Sequence, residues 1–405
     1  MTSSKKFSYL DCAILLLIVI SVAFYDIKII FIISQILAIL FTIPILLKGA
    51  TYNKGAIIQF ALWAITFITY SLLSVFWASD ENQTAISTVL STIQVVLISI
   101  SLIVYCDGKK RRTEKVLNYF IIAAAILVFR FLITVPISFW GDGERFSKEN
   151  IFGSNIPAMT LAYASVILFW KYIHNRKVDI KQRKNIFNII LIIIFMSVTL
   201  LMGTKKSILI FLVGSIIVML TNSKSPVKSL KILACSAILI VVGYTIIKNV
   251  PILYNSIGYR IDDFILEMSG DNADNIRSTA MRKKFIEEAF QIYSEYPVLG
   301  VGQDGFRYRN IYEKTYSHCN YAELMANLGS IGIVVFYSIY VIIFMDAQKS
   351  KTRDLVFAII FSMLLADIAT VSYSMELNYV LLGIVFGTFN DNTLKKENYE
   401  KVEAN

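Results

Sequence analysis

Residues 84–105 read TAISTVLSTIQVVLISISLIVY, a run of 22 residues that contains no charged side chain. About 20 apolar residues in a helix cross the hydrocarbon core of a bilayer, so this run predicts a membrane-spanning helix. The rest of the chain has the same character, because 56% of its 405 residues are hydrophobic and only 17% are charged. Soluble globular proteins carry about 25% charged residues, so the composition excludes a soluble enzyme.

Eleven further apolar runs follow the same rule, and together they predict an all-α, polytopic membrane protein with about 12 transmembrane helices. The predicted spans are 10–25, 29–47, 56–77, 84–105, 116–139, 156–170, 186–202, 207–220, 232–247, 321–345, 355–372 and 377–389. They divide the chain into nine spans (1–248), one large loop (249–320), three spans (321–390) and a tail (391–405).

The basic residues predict the orientation of these spans. The formal net charge of +10 would suggest nucleic-acid binding in a soluble protein, but in a membrane protein Lys and Arg concentrate on the cytoplasmic side. Of 39 such residues, 24 lie in alternate connections on the side of both termini, and five lie in the short opposite connections. We therefore expect cytoplasmic termini, an outward-facing loop at 249–320 and no nucleic-acid partner.

Residues 278–297 of this loop predict an amphipathic helix that ends at a proline. Steps of 100° place Phe285, Ile286, Ala289, Tyr293 and Tyr296 on one face, and Lys283, Lys284, Glu287, Glu288, Gln291 and Glu295 opposite. Arg282 falls in the middle of the apolar face. Its guanidinium either extends to water or is held against an anion, since an unpaired buried charge is costly. Arg277 falls on the polar side and is a weaker candidate.

Residues 300–305, Gly-Val-Gly-Gln-Asp-Gly, match the dinucleotide-binding pattern GxGxxG. That function requires a preceding strand and a following helix, whereas this segment follows a helix in an outer loop. We instead expect a tight turn that orients Phe306, Arg307 and Arg309.

His318, in the segment Ser-His-Cys-Asn-Tyr-Ala-Glu-Leu at 317–324, is the candidate base. It is the only histidine expected on the outer side, and imidazole suits proton transfer near neutral pH. A lone histidine is more often structural. Asn320 and Glu323 could serve the site or simply cap the start of the next helix.

Other residues on the outer side are expected at the same depth in the membrane as His318. The short turn 203–207, Gly-Thr-Lys-Lys-Ser, carries Lys205 and Lys206, which could anchor to lipid headgroups or form part of a site. Arg145 and Asn155 belong to a second polar turn. Arg130 lies inside a predicted span, where ionisable residues are rare and usually functional.

Several cations and one base suit the transfer of a sugar from a lipid diphosphate. Such a leaving group needs charge stabilisation rather than a general acid, so the paired carboxylates of glycoside hydrolases are unnecessary. The loop carboxylates form neither a DxD motif nor a His-rich cluster, and four cysteines with two histidines give little material for a zinc site. We expect no metal and no cofactor.

The motifs in combination resemble the family of O-antigen ligases and polymerases. They are Asn155 with Pro157, the turn 203–207, Arg282, the segment Pro-Val-Leu-Gly-Val-Gly at 297–302 and the segment at 318–324. The resemblance covers about residues 140–345 and implies a GT-C-like helical fold and an undecaprenyl-diphosphate-linked donor.

The resemblance also implies roles for individual residues. His318 matches the catalytic histidine, Arg282 matches the loop arginine, and Lys205 stands where the family usually has an arginine. Lysine keeps the charge but loses bidentate geometry. Cys319 stands where the family often has asparagine, and Asn320 is its possible substitute.

Three functions fit these features. A polymerase would join lipid-linked repeat units into capsular, exopolysaccharide or O-antigen chains, and a ligase would move a finished glycan to another acceptor. A transporter of the same lipid would show internal repeats or helices broken near mid-membrane, which the sequence lacks. A polymerase in a bacterial inner membrane, with membrane lipids, a flippase and a chain-length regulator as partners, is our leading prediction.

Overall fold

The computed structural model of the protein describes residues 9–27, 54–78, 82–140, 155–177, 182–223, 225–268 and 277–389, with isolated positions between 29 and 43. Thirteen helices of ten or more residues lie in these ranges. They are α1 (Tyr9–Ala23), α2 (Lys54–Ser74), α3 (Asn82–Cys106), α4 (Lys110–Thr134), α5 (Asn155–Lys177), α6 (Gln182–Leu201), α7 (Lys205–Thr221), α8 (Pro226–Asn249), α9 (Tyr259–Met268), α10 (Arg277–Glu295), α11 (Asn320–Ala347), α12 (Arg353–Ala366) and α13 (Glu376–Gly387).

Seven described helices are long and apolar enough to cross a membrane, namely α2 through α6, α8 and α11. These helices confirm the prediction of an all-helical, multi-pass membrane protein, whereas the predicted number of twelve transmembrane helices stays a prediction. Helices α7 and α12 have 17 and 14 residues, and the predicted span 29–47 lies mostly outside the described residues. The tail 391–405 lies outside them as well.

Helix α4 differs from its predicted span at both ends. It begins at Lys110, six residues early, because the mostly charged segment 110–115 continues the helix beyond the apolar run. It ends at Thr134 rather than at 139, because Pro136 lacks an N–H donor and disfavours helical geometry in the residue before it.

The chain forms two compact units. Unit 1 takes its described residues from Met1–Ala123, Ile286–Thr352 and Val371–Asn405, and unit 2 takes them from Ala124–Phe285 and Arg353–Thr370.

In unit 1, an aromatic cluster fastens α2 to the middle of α11. The indole N–H of Trp63 donates to the main-chain oxygens of Val335 and Phe336, at 2.9 and 3.1 Å. Trp63 also stacks on Phe67 with ring centroids 5.9 Å apart. A buried indole needs a hydrogen-bond acceptor, so these contacts fix the height of α11 against α2. They lie in the part of α11 that follows Gly329.

In unit 2, a buried carboxylate joins α5, α7 and α12. Asp354 accepts the indole N–H of Trp170 at 3.0 Å and the amide N–H of Asn222 at 2.7 Å. The Nε2 atom of His174 lies 3.7 Å from the same carboxylate. Asp354 is in the first turn of α12, where the helix dipole favours a negative charge. This cluster holds the end of α7 opposite to the turn 203–207.

Helix α10 confirms the predicted amphipathic helix but corrects its faces. Glu288, predicted on the polar face, is only 8% exposed, and Ile292 is 5% exposed. The two residues are one turn apart and widen the buried stripe formed by Phe285 and Ala289. Burial, followed by the neighbouring charge of Glu295, raises the pKa of Glu288. Tyr296 is exposed, because the helix ends before it.

Candidate active site

The turn 203–207 between α6 and α7 has the short, tight form that the sequence predicts. Gly203 has a φ of +64°, and a Cβ atom there would lie 2.5 Å from the main-chain oxygen of Ser256. Only glycine combines this left-handed conformation with such a close approach. The buried Thr204 hydroxyl donates to the Ser207 hydroxyl at 2.9 Å. The backbone on both sides of Lys205 is therefore firmly held.

Lys205 and Lys206 are the first two residues of α7, and the first turn contains no acidic residue. The N-terminus of a helix carries a partial positive charge and exposed N–H groups, so two lysines there add to an already positive potential. Thr204 makes no side-chain capping bond to this helix start. The arrangement favours an anion.

Lys205 is tied to a residue that the sequence analysis missed. Its Nζ atom donates to the main-chain oxygen of Arg260 at 2.6 Å. In return, a terminal N–H of Arg260 donates to the oxygen of Gly203 at 3.0 Å, and its Nε donates to the Tyr259 hydroxyl at 2.7 Å. Because 55 residues separate Lys205 from Arg260, no local pattern could have paired them. The sequence signal that could have identified Arg260 is its position as an arginine shortly after Gly258 in the predicted outer loop.

Lys206 is held by the segment after α12. Its Nζ atom donates to the Thr370 hydroxyl at 2.5 Å and approaches the Ala369 oxygen at 3.4 Å. These contacts occur within unit 2. Protein groups therefore hold the Lys206 ammonium, in addition to any contact with lipid headgroups. Lys205, Lys206 and Arg260 together form what we call the basic turn.

The other predicted cationic and supporting residues are distributed over several helices. Arg282 is half-buried in α10, and Arg130 is half-buried in α4. Asn155 is the first residue of α5 and is also half-buried. The side chain of Arg277, at the start of α10, and all of Arg145 lie outside the described residues. The roles of these five residues stay predictions.

In unit 1, His318 lies in a strained and tightly bonded loop. Its φ is +63°, which is uncommon for a residue with a Cβ atom and marks local strain. The Ser317 hydroxyl donates to the Cys319 oxygen at 2.8 Å and accepts the Cys319 N–H at 3.3 Å. The imidazole packs against Tyr316 with ring centroids 4.3 Å apart. His318 is half-buried, so its ring is held in place but still partly accessible.

Glu323 and Asn320 hold this loop rather than capping α11. The N-cap of α11 is Cys319, which makes no side-chain capping bond, so the capping interpretation is wrong. Glu323 instead reaches beyond the helix start and accepts the Ser317 N–H at 2.6 Å. The side-chain oxygen of Asn320 accepts the N–H groups of Ser372 and Tyr373, at 2.9 and 3.1 Å.

The glycine-rich segment docks on a break in α11, which confirms the predicted tight turn. Gly329 has a φ of +63° and interrupts the helical hydrogen bonding. The main-chain oxygens of Ala326 and Asn327 accept the N–H groups of Val301 and Gly302, at 2.9 and 2.8 Å. The backbone of the glycine-rich segment is therefore hydrogen-bonded to α11 just before this break.

Asn327 joins this segment to the histidine loop. Its side-chain oxygen accepts the Phe306 N–H at 2.7 Å, and its amide donates to Glu323 at 3.1 Å. Glu323 in turn accepts from Ser317, so a continuous chain of bonds runs from Phe306 to the residue before His318. Phe306 is fully buried, contrary to the expectation that the turn would present it.

The same turn buries a second carboxyl group. Asp304 is 3% exposed, and burial raises its pKa although Arg307, 3.7 Å away, counteracts the shift. The side-chain amide of Gln303 donates to the Tyr373 hydroxyl at 2.8 Å. Burial raises the pKa of Tyr373 well above its usual value, so this hydroxyl stays protonated.

One comparison with known protein families covers most of the residues described above. Residues 189–337 match a protein-family model described as O-antigen ligase. The matched region includes the basic turn, Arg282, the glycine-rich segment and His318. A search of curated proteins found no match. The family match and the apolar helices support a glycan-transferring, multi-pass protein of the inner membrane. Residues 189–337 of this chain are therefore similar to the O-antigen ligase family.

Proposed function

We propose that the protein is an inverting glycosyltransferase that polymerises undecaprenyl-diphosphate-linked oligosaccharide repeat units into capsular, exopolysaccharide or O-antigen polysaccharide. The observation that carries the proposal is the occurrence, within one family-matched segment, of two lysines at the start of a helix whose first turn contains no acidic residue, and of a histidine in a tightly bonded loop. The reaction uses protein cations, and no metal or cofactor takes part in the proposed steps.

The donor diphosphate is bound by Lys205 and Arg282, with Lys206 and Arg277 in support. As the bond between the anomeric carbon and the diphosphate oxygen breaks, its electron pair leaves with the diphosphate. Negative charge therefore grows on the leaving group, and positioned cations stabilise the transition state more than the ground state. The N-terminus of α7 contributes in the same direction.

The acceptor hydroxyl is activated by His318. The imidazole accepts the hydroxyl proton while the oxygen attacks the anomeric carbon from the face opposite the diphosphate, so the configuration inverts. Glu323 and Asn320 hold the loop that carries the imidazole. Asn155, Arg145 and Arg130 complete the proposed set as supporting polar residues.

The proposed reaction takes place on the outer face of the bacterial inner membrane, with both termini in the cytoplasm. This orientation follows from the distribution of Lys and Arg along the sequence. The donor and acceptor are then delivered by a flippase, and a chain-length regulator acts on the growing polymer.

A ligase is the second candidate, because the description of the matched family model is O-antigen ligase. A ligase would use the same cations and the same base but would transfer a finished glycan once, to a separate acceptor.

The test is product analysis with purified protein and a lipid-linked repeat unit. We expect a ladder of repeat numbers on polyprenyl diphosphate from the native chain and no product from His318→Ala. The matched control is His174→Ala, the other histidine, which should give the native ladder. Native product from His318→Ala would disprove the proposed base, and a single transfer to an added acceptor would identify a ligase.

A further inference from the structure

Arg260 and the turn 203–205 hold each other in place. The guanidinium bonds to the Gly203 oxygen at 3.0 Å while the Lys205 ammonium bonds to the Arg260 oxygen at 2.6 Å. Neither of these two bonds involves a carboxylate, so neither neutralises the charge of its donor. The guanidinium is held at the backbone of the turn and the ammonium at the backbone of Arg260, so the two bonds join these segments reciprocally.

The backbone beneath Arg260 has an unusual form that brings it close to the turn. Tyr254–Gly258 is a π-helical turn, a feature that often occurs at functional sites. Ser256, within it, presents its main-chain oxygen to Gly203, where even a methyl group would not fit. Arg260 follows two residues after this turn, so the close approach of Ser256 to Gly203 adds to the side-chain bonds that hold Arg260 beside Lys205.

The three cations of the basic turn, Lys205, Lys206 and Arg260, differ in how they can bind a phosphate group. Lysine is a compact point charge, whereas the guanidinium of arginine is a planar fork that matches two oxygens of a phosphate group. At residue 205 this chain has lysine, so that position cannot supply a fork. Arg260 supplies a guanidinium within hydrogen-bond distance of the same turn.

We propose that Arg260 is a further binding residue for the donor, and that its guanidinium contacts the diphosphate beside Lys205. The inference rests on the proposed function and deepens it, because it assigns the ligand of the basic turn as a diphosphate ester at the membrane surface. The two linked phosphates carry more charge than the single phosphate of an ordinary phospholipid, and therefore suit a cluster of cations.

The test measures binding directly, without turnover. Undecaprenyl diphosphate is titrated into full-length protein in detergent, with undecaprenyl monophosphate and phosphatidylglycerol as separate ligands. For Arg260→Gln we expect the Kd for the diphosphate to rise about 10- to 100-fold, the range of a charge-assisted hydrogen bond. The Kd for the two monophosphates should change much less. Arg260→Lys keeps the positive charge but not the planar fork. Its Kd for the diphosphate should lie between those of Arg260→Gln and the native protein.

Lys248→Gln is the matched control, because Lys248 is another cation before the π-helical turn, 57% exposed and 3.8 Å from Asp262. An equal loss of binding in this variant would show a general effect of surface charge and overturn the proposal. Equal losses for diphosphate and monophosphates in Arg260→Gln would show a purely structural role and also overturn it.

The failure of this inference differs from the failure of the proposed function. If Arg260→Gln binds the diphosphate with native affinity while Lys205→Ala binds it weakly, only the role of Arg260 is wrong. If none of the three ligands binds the native protein at the basic turn, so that Lys205→Ala also has no effect, the donor site itself is wrong.

Discussion

The carboxylate of Glu323 accepts the main-chain N–H of Ser317 at 2.6 Å, across the residue whose imidazole is the proposed base. The side chain of one helical residue thus holds the peptide that precedes His318, which has a φ of +63°. The left-handed conformation costs about 1–2 kcal/mol in a residue with a Cβ atom, and bonds on both sides of His318 offset this cost.

Removing this carboxylate should therefore impair turnover more than binding. In Glu323→Leu, the Ser317 N–H and the Asn327 amide lose their buried acceptor, at a cost of about 1–3 kcal/mol each. We expect a large fall in kcat with a small change in KM, and a lower thermal midpoint. Glu323→Gln keeps an acceptor oxygen and should retain most activity. Identical kinetics for Glu323→Leu and the native protein would contradict this role.

Replacement of Gly203 tests the close contact beneath the basic turn. Gly203→Ala places a methyl group 2.5 Å from the Ser256 oxygen and requires a left-handed alanine, so the turn must shift. We expect destabilisation of at least about 1 kcal/mol together with weaker diphosphate binding. Gly243→Ala is the matched control, since a Cβ atom there meets no atom within 4 Å. Its thermal midpoint should be unchanged or higher, because alanine favours a helix.

The buried carboxyl group of Asp304 should make stability depend on pH. Its pKa is raised by burial, so its contribution is fully present below the pKa of an unfolded aspartate. That contribution is lost as the pH rises through the higher folded value. Asp304→Asn does not ionise, so the variant should gain stability relative to the native protein as the pH increases. Thermal midpoints of both proteins across the acidic range measure this difference, and a difference independent of pH would refute it.

The cluster around Asp354 should contribute to stability rather than to catalysis. Asp354→Ala leaves the Trp170 indole and the Asn222 amide without their buried acceptor. At about 1–3 kcal/mol for each orphaned donor, we expect a clearly lower thermal midpoint. Turnover per folded molecule should stay near the native value, and Asp354→Asn should be milder because one oxygen remains. A selective loss of activity without a loss of stability would show a catalytic role instead.

The apolar runs predicted most helices well, because about 20 apolar residues leave the backbone little choice in a bilayer. The tight turn at 300–305 was also predictable, since three closely spaced glycines indicate unusual backbone geometry. The ends of α4 were not predicted, because hydropathy does not record that charged residues can extend a helix and that Pro136 stops it.

Candidate site residues could be selected from the sequence, but their hydrogen-bond partners could not. His318 and Lys205 could be selected by chemistry, whereas Arg260 lies 55 positions after Lys205 and meets it only through the fold. The pattern around Asn320 and Glu323 suggested a helix cap because spacing alone cannot distinguish a capping bond from a bond to a preceding loop. Glu288 was misplaced since a helical wheel does not show how wide the buried stripe is.

The break at Gly329 has a consequence for the order in which the protein is made. The N–H groups of Val301 and Gly302 bond to oxygens of Ala326 and Asn327, which the ribosome adds some 25 residues later. The glycine-rich segment and the histidine loop bonded to it through Asn327 and Glu323 therefore cannot reach their final form until α11 has been synthesised. A chain truncated before α11 would contain His318 and its loop but would lack these hydrogen-bond partners.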